Sequence, residues 1–320
     1  MHLGLLFDLQ TDPNDERQAE FDPPQTIEAL RRALESLGHH VTPINGVTEL
    51  VRLGPKGCCS FDLVFNLAEG MEGRCREAWA PTLLDLYGIP YVGSDPLALS
   101  LGLDKAMTKR LVKESGLRTP AWHLLPADTH ALRFPVIVKP RYEGSGRGID
   151  AGAVVTSHEA LAQRVAWLAA RCPGPVMVEE FVPAGELTVC LIGNDPPTAY
   201  PAIQRPLDPA TRLSCHIVKP APDAVINPLE LTAALEQAAR EAALSVFRLI
   251  GCRDMARVDF RVDEQRRVWF LEINPLPSFD LAGSFGLLAE YLGVSYANVI
   301  GRILDAAVRR LQGVSAHAKL

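Results

Sequence analysis

The sequence predicts a mixed α/β (α+β) protein of two or three domains, with a parallel sheet first and antiparallel modules after it. Three observations lead there. A chain of 320 residues is too long for one compact core. Its first 95 residues alternate apolar strand-like runs with amphipathic helical ones, which implies a parallel sheet covered by helices. Beyond them come short strands, a glycine loop and a β-hairpin.

Taken in order, Leu3–Phe7 reads as a buried strand, Thr26–Leu37 as a helix ending at Gly38, and His40–Ile44 as a second strand. Phe61–Leu67 is a third strand, Glu77–Tyr87 a helix ending at Gly88, and Ile89–Ser94 closes the unit. Asp104–Gly116 reads as a basic helix, and Phe134–Pro140 contains a short apolar strand. A glycine loop follows, then a strand at Ala153–Val155, a helix over His158–Ala170 and a strand at Val176–Phe181. From Glu186 the pattern gives long strands, a helix over Leu229–Ile250, the hairpin, and closing helices around Leu287–Leu292 and Tyr296–Leu311. Pro126–Arg133 and Pro206–Pro222 read as loops, and Gly313–Leu320 as a disordered tail.

Composition bounds the function. Hydrophobic residues at 48% and charged ones at 22% are those of an ordinary globular protein. A net charge of −6 and the absence of any Lys/Arg run argue against a nucleic-acid partner. The start, Met1–Asp8, is too short for a signal segment, and no apolar stretch reaches membrane-spanning length. Seven scattered cysteines without a CxxC pair suit a reduced compartment and offer neither a zinc site nor a disulfide framework. A cytoplasmic protein with no membrane partner is the expectation.

The most telling segments are Arg257-Val258-Asp259-Phe260 and Leu271-Glu272-Ile273-Asn274-Pro275, joined by the polar stretch 261–268. With a turn centred between Gln265 and Arg266, Asp259 faces Glu272 and Arg257 faces Asn274. Side chains alternate along strands, so these four share one face. Val258, Phe260 and Val262 against Trp269, Leu271 and Ile273 form the opposite, core face. Facing carboxylates destabilise a bare sheet. A divalent cation between them makes a site, and Asp, Glu and Asn are hard oxygen ligands suited to Mg²⁺ held partly by phosphate. An ordinary solvated face, relieved by Arg257 and water, accounts for the hairpin alone equally well.

A second constellation handles anions. Lys139 ends a buried strand before the rigid Pro140, and Gly144-Ser145-Gly146-Arg147-Gly148 follows. Its glycines let backbone amides approach an anion and let the loop fold over a nucleotide. The loop is no dinucleotide fingerprint, because it does not join a strand to a helix. Val178–Val182 is an apolar strand end carrying Glu179 and Glu180, with Glu186 four residues beyond Val182.

The order Leu103-Asp104-Lys105, Ile137–Pro140, the 143–148 loop, Val178–Val182, Glu186, Arg257–Asp259 and Glu272–Asn274 resembles the ATP-grasp superfamily. It resembles most the D-alanine–D-alanine ligases, over nearly the whole chain. Phe65-Asn66-Leu67, Tyr91–Ser94 and Thr108-Lys109 add to that likeness. The resemblance implies three domains, at 1–95, 96–185 and 186–320, with ATP clasped between the last two. It implies that Lys105 and Lys139 hold the phosphates and that Gly144, Ser145 and Gly146 cover them. Glu179, Phe181 and Val182, with Glu180 beside them, would border the adenine, and Glu186 the ribose. Asp259, Glu272 and Asn274 would bind two Mg²⁺ ions, with Mn²⁺ as a substitute. Activity would pass through an acyl phosphate that an amine attacks to form an amide. Arg257, at the oxyanion, and Ser145 are the candidate catalytic residues. A homodimer is the family-level expectation.

The substrate half departs from the family pattern. The segment 68–77, ending in Glu77, replaces a His-Gly segment, and Arg205–Lys219 lacks the tyrosines of a flexible loop while offering His216 and Lys219. Asn274-Pro275-Leu276-Pro277-Ser278 replaces Asn-Thr-x-Pro-Gly. A serine for the second substrate's carboxylate becomes Gly283, with Ser284 adjacent, and Glu20 is the nearest residue for the first substrate's ammonium. The expectation is therefore a carboxylate–amine ligase for amino-acid or peptide-like substrates other than two D-alanines. A larger amino acid held by Arg74, Arg76, His216 or Lys219 is one such acceptor. The alternatives are a divergent D-alanine–D-alanine ligase and a catalytically silent ATP-binding regulator.

Overall fold

The computed structural model describes residues 1–126, 131–172, 174–215 and 224–317. The first unit comprises β1 (His2–Phe7), α1 (Pro24–Ser36), β2 (His40–Asn45), α2 (Gly46–Cys58), β3 (Leu63–Leu67), α3 (Trp79–Tyr87) and β4 (Tyr91–Val92). Its strands pair in parallel in the order β2-β1-β3-β4. Helix α2 is absent from the sequence reading because Gly54-Pro55 interrupts it: Gly54 sits at φ 58°, and a second helical segment restarts at Pro55. The helix expected from Glu77 begins at Trp79. A 3₁₀ turn, Arg76–Ala78, precedes it and leaves Glu77 buried.

Next come α4 (Pro96–Leu103), α5 (Lys105–Glu114), β5 (Trp122–Leu124), β6 (Val136–Pro140), β7 (Val154–Val155), α6 (His158–Ala169) and β8 (Val176–Glu180). The strands form an antiparallel sheet, β5-β8-β6-β7. Val136, Val138 and Val178 point toward α6, while Ile137 faces the other way with Ala153 and Leu213. Helix α4 also escaped the sequence reading. It is apolar on every side (PLALSLGL), so no amphipathic stripe marks it.

The last part runs β9 (Gly185–Ile192), β10 (Thr198–Ala199), β11 (Ile203–Gln204), α7 (Ala233–Ile250), β12 (Met255–Val262), β13 (Val268–Asn274), α8 (Ser284–Leu292) and α9 (Tyr296–His317). The antiparallel sheet is β10-β9-β12-β13, with β11 also on β9, and α7 covers its core face. Helices α8 and α9 turn back onto the first sheet, where Ile300, Ile303 and Leu304 share a core with Leu3, Leu5 and α1. Helix α9 runs to His317, into the segment expected to be a disordered tail; residues 318–320 lie outside the described residues. Asp254, fully buried at φ 64°, ties these parts together. Its carboxylate accepts from Arg310 (2.9 and 2.7 Å), Asn194 (2.9 Å) and the amide of Gly93 (2.9 Å).

Strands β12 and β13 pair as the sequence predicts near the site, with Asp259 opposite Glu272 and Arg257 opposite Asn274. A bulge after Asp259 shifts the rest, so Phe260 faces Phe270 and Val262 faces Val268. The expected core face is corrected accordingly. Phe270 is buried with Phe260, Val262 and Ile273, whereas Trp269 and Leu271 are only half-buried. Trp269 donates its indole N–H to Asp263 at 2.8 Å, and Leu271 turns to a cavity.

Candidate active site

The two antiparallel sheets and the end of the first unit enclose a cavity of about 490 Å³. Lys139 leaves β6 on the same face as Ile137, and Glu179 of β8 stands diagonally across from it. Glu179 Oε2 lies 3.1 Å from Lys139 Nζ and 3.1 Å from Lys109 Nζ. Lys109 is fully buried on α5 and also donates to Thr119 Oγ1 (2.8 Å) and the Phe270 carbonyl (3.2 Å). Burial pulls its ammonium down to about 8, and Glu179 limits the fall. Glu179 thus positions Lys139 besides bordering the cavity.

Lys105 is the first residue of α5. Its ammonium donates to the Glu143 carbonyl at 2.6 Å and sits 3.4 Å from Glu272 Oε2. Asp104 caps α5 by accepting from the Met107 amide (3.1 Å), and Arg141 grips Asp104 with two 2.7 Å bonds. The Asp104–Arg141 pair fastens the start of α5 to the end of β6, which fixes Lys105 and Lys139 relative to each other. In the glycine loop Ser145 and Gly146 have φ of 49° and 72°. Gly144 passes so close to Glu20 that a Cβ there would collide with the Glu20 carboxylate.

On the hairpin, Asp259 accepts from Thr188 Oγ1 (2.7 Å) through Oδ1 and from Arg257 Nε (3.0 Å) and Asn274 Nδ2 (3.3 Å) through Oδ2. Burial pushes the Glu272 carboxyl up, but Lys105, Lys139 and Arg257 outweigh it and hold the group at about 2. Burial works against the charge on Arg257 too; Asp259 and Glu272 more than offset it. Among the described residues no group of three His, Cys, Asp or Glu could hold a metal alone. Two facing carboxylates and an amide are a partial oxygen set, which fits Mg²⁺ completed by phosphate and water.

At the far end of the cavity lie Phe181, Val182 and Glu186. Arg261, two residues beyond Asp259 on the same strand face, organises them. It donates to the Val182 carbonyl (2.7 Å), Glu186 Oε2 (2.9 Å) and the Arg212 carbonyl (3.0 Å), and its guanidinium lies 4.9 Å from the Phe181 ring centroid. The Glu180 carboxylate is bound by Arg133 (3.0 Å).

The remaining wall holds Glu20, Glu77, Ser278, Gly283 and Ser284. Gly283 caps α8 without a side-chain bond, and the buried Ser284 hydroxyl accepts from Arg205 Nη2 at 2.6 Å. Arg205 also donates to Thr188 Oγ1 (3.1 Å) and so joins the acceptor end to the Asp259 cluster. Ser278 Oγ accepts from the Asp280 amide at 3.2 Å. Two expectations fail. Arg76 is 2% exposed and bound to the Glu20 carboxylate and the Tyr142 carbonyl (3.0 Å), so it cannot hold an acceptor. Arg74 lies outside the cavity wall, 3.5 Å from Asp104. His216 and Lys219 lie outside the described residues. The sequence reading assigned no role to Lys109, Arg141, Arg205 or Arg261, nor to the wall carboxylates Asp22, Glu69 and Asp280. Of these, Lys109 carries a sequence signal in the Thr108-Lys109 match and Arg261 in the period-2 face it shares with Arg257 and Asp259.

Paired lysines, a glycine loop and an acid–amide hairpin around a cavity between two antiparallel sheets define the site of an ATP-grasp ligase. A family model described as D-ala D-ala ligase C-terminus matches residues 100–305. The D-alanine–D-alanine ligase of Synechococcus sp. (strain JA-2-3B'a(2-13)) is 31% identical, covering 90% of this chain and 89% of its own. D-alanine–D-alanine ligase B of Chromobacterium violaceum is 34% identical, covering 77% of this chain and 80% of its own. The crystal structure of D-alanine–D-alanine ligase from Bacillus anthracis complexed with ATP superposes with a TM-score of 0.77 at 21% identity. That match covers 98% of this chain and 99% of the other, and it speaks for the fold. The chain belongs to the D-alanine–D-alanine ligase family, ATP-dependent enzymes that form a C–N bond. No helix among the described residues is long and apolar enough to cross a membrane.

Proposed function

We propose that this protein joins the carboxylate of one amino acid or peptide-like acid to the amine of another, with substrates other than two D-alanines. The observation that carries the reading is the convergence on one cavity of Lys105, Lys139, Arg257 and the Asp259/Glu272 pair with Glu20. When bound, ATP would supply the γ-phosphoryl group that activates the acid as an acyl phosphate, ADP leaving, and two Mg²⁺ ions, or Mn²⁺ in their place, held by Asp259, Glu272 and Asn274 would neutralise the phosphate charge. Lys105 and Lys139 hold phosphate oxygens under the 143–148 loop, with the Ser145 backbone at its crest. Phe181, Val182 and the Glu179 side of β8 flank the adenine, and Glu186 meets the ribose. Arg257 faces the oxygen that gains charge when the amine adds. A pure nucleotide binder would need no such cation. Glu20, held by Arg76 against Gly144, receives the acid substrate's ammonium beside the phosphate loop. The start of α8, with Gly283 and Ser284, receives the acceptor's carboxylate.

Assayed with ATP, Mg²⁺ and pooled L- and D-amino acids, the enzyme forms ADP only when amino acids are present, with a dipeptide detected by mass spectrometry. ADP formation indifferent to amino acids would overturn the reading. The relatives' names favour a second reading, a D-alanine–D-alanine ligase of a divergent subfamily. A D-alanine KM between micromolar and about 1 mM, with D-alanyl-D-alanine as main product, would establish it. Seven free cysteines suit a cytoplasmic enzyme. Trp79 and Leu86, exposed seven residues apart on α3, suit a homodimer face, which sedimentation of the protein would test.

A further inference from the structure

The amine end of the cavity carries more carboxyl groups than one ammonium needs. Glu20, Asp22, Glu69, Glu77 and Asp280 all border it. Arg76 holds Glu20, and Asp280 accepts from the Thr26 hydroxyl (3.0 Å) and the Ala282 amide (2.7 Å). Among the described residues, the carboxylates of Glu77, Asp22 and Glu69 have neither a hydrogen bond nor an ion pair. Glu77 and Asp22 are 6% and 7% exposed, and what accessibility they keep opens on the cavity they line. The cations nearby are already engaged. Arg76 serves Glu20 and Glu143, and Lys105 serves Glu272 and the Glu143 carbonyl. Burial and Glu20 push Glu77 up to about 8, and burial, Asp280 and Asp8 push Asp22 up to about 7, as carboxylates do when counter-charge is missing. A single metal ion does not meet this demand, because no three of these groups are placed to hold one.

We propose that this wall is a subsite for a second cationic group on the substrate. The acid substrate is then a dibasic amino acid, its α-ammonium at Glu20 and its side-chain cation among Glu77, Asp22 and Glu69. This rests on the ligase reading and narrows it to a substrate class.

The test is calorimetry on the full chain with a non-hydrolysable ATP analogue and Mg²⁺. Each enantiomer of lysine and ornithine is titrated against norleucine, which has lysine's length without its ammonium. The dibasic amino acids should bind at least about tenfold more tightly than norleucine. In Glu77→Gln, checked for folding by thermal melting, the lysine-to-norleucine ratio should fall toward one. Asp22→Asn should lower the same ratio and carries the test if Glu77→Gln does not fold. Norleucine binding as well as lysine to the parent enzyme, or a ratio unmoved by the folded variants, would overturn the subsite. Steady-state ADP release separates the two readings. Glu77-dependent lysine binding without ADP release from any amino acid would leave the subsite standing and remove the ligase. ADP release with alanine at a kcat/KM equal to that with lysine would do the reverse.

Discussion

The two ends of the cavity solve opposite electrostatic problems. At the phosphate end charges are matched within the protein: Lys139 and Lys109 with Glu179, Lys105 with Glu272, Arg257 with Asp259, Glu186 with Arg261. At the amine end Glu77, Asp22 and Glu69 crowd one another with Arg76 as the close cation, and their protons are held tightly. The first arrangement is preorganised before any ligand arrives, so it spends little on reorganisation when charge develops. The second is unbalanced until a cation enters. On the proposed reading, one region would perform chemistry common to a family, and the other would select what the chemistry is performed on.

The largest effect is expected at Glu272. Glu272→Gln should lower turnover by about 10²–10³-fold, the scale for losing one well-placed charge-stabilising group. The chain should still fold, because the core face of β13 is Phe270 and Ile273. Most of the activity retained at limiting Mg²⁺ would place the metal site elsewhere. The sign of the pH effect follows from its depressed carboxyl. Whatever stability Glu272 contributes is present above its ordinary value of 4.5 and fades as pH falls toward about 2.

Lys139→Ala should weaken ATP binding by about 2–4 kcal/mol, the range for breaking a desolvated charge contact. The substitution also strips one of two lysines from Glu179. Calorimetric affinity near that of the parent would mean that Lys105 alone anchors the phosphates.

The amine end makes the opposite pH prediction. With the Glu77 and Asp22 carboxyls raised to about 8 and about 7, the folded state without ligand binds more protons than the unfolded chain. Their contribution is full below about pH 4 and is lost as pH rises through 7 and 8. Glu77→Gln should therefore melt a few degrees higher than the parent at pH 8, with a smaller difference at pH 5. Equal melting temperatures at both pH values would mean that Glu77 is better solvated than its burial implies.

The smallest expected effect concerns the glycine loop, where Arg147 pairs with Glu143 at 2.9 Å. Closure over nucleotide should slow protease nicking after Arg147 about severalfold when ATP and Mg²⁺ are added. Unchanged nicking would show a loop that is static in both states.

What could be read in the chain alone was local and periodic. Alternation along two strands put Asp259 opposite Glu272 and Arg257 opposite Asn274, and strand–helix alternation gave the parallel sheet. The ATP-grasp resemblance implied that Lys105, Lys139 and the glycine loop share one site, and the fold brings them to one cavity. Helix α4 was illegible, being apolar all round, and so was the bulge that exchanges Phe270 for Leu271 in the core, since nothing in a hairpin's composition marks one extra residue. Partnership across the fold was illegible as well. Arg76 looked like a hand for the substrate and is instead the buried counter-ion of Glu20, 56 residues away. Asp22, Glu69 and Asp280 gave no sign of sharing a wall with Glu77, because burial and unpaired charge arise when distant segments exclude water together. Strand periodicity is a property of neighbours in sequence, and the sequence determines it. Which carboxylates end up without a cation is a sum over neighbours in space, which only the tertiary structure decides.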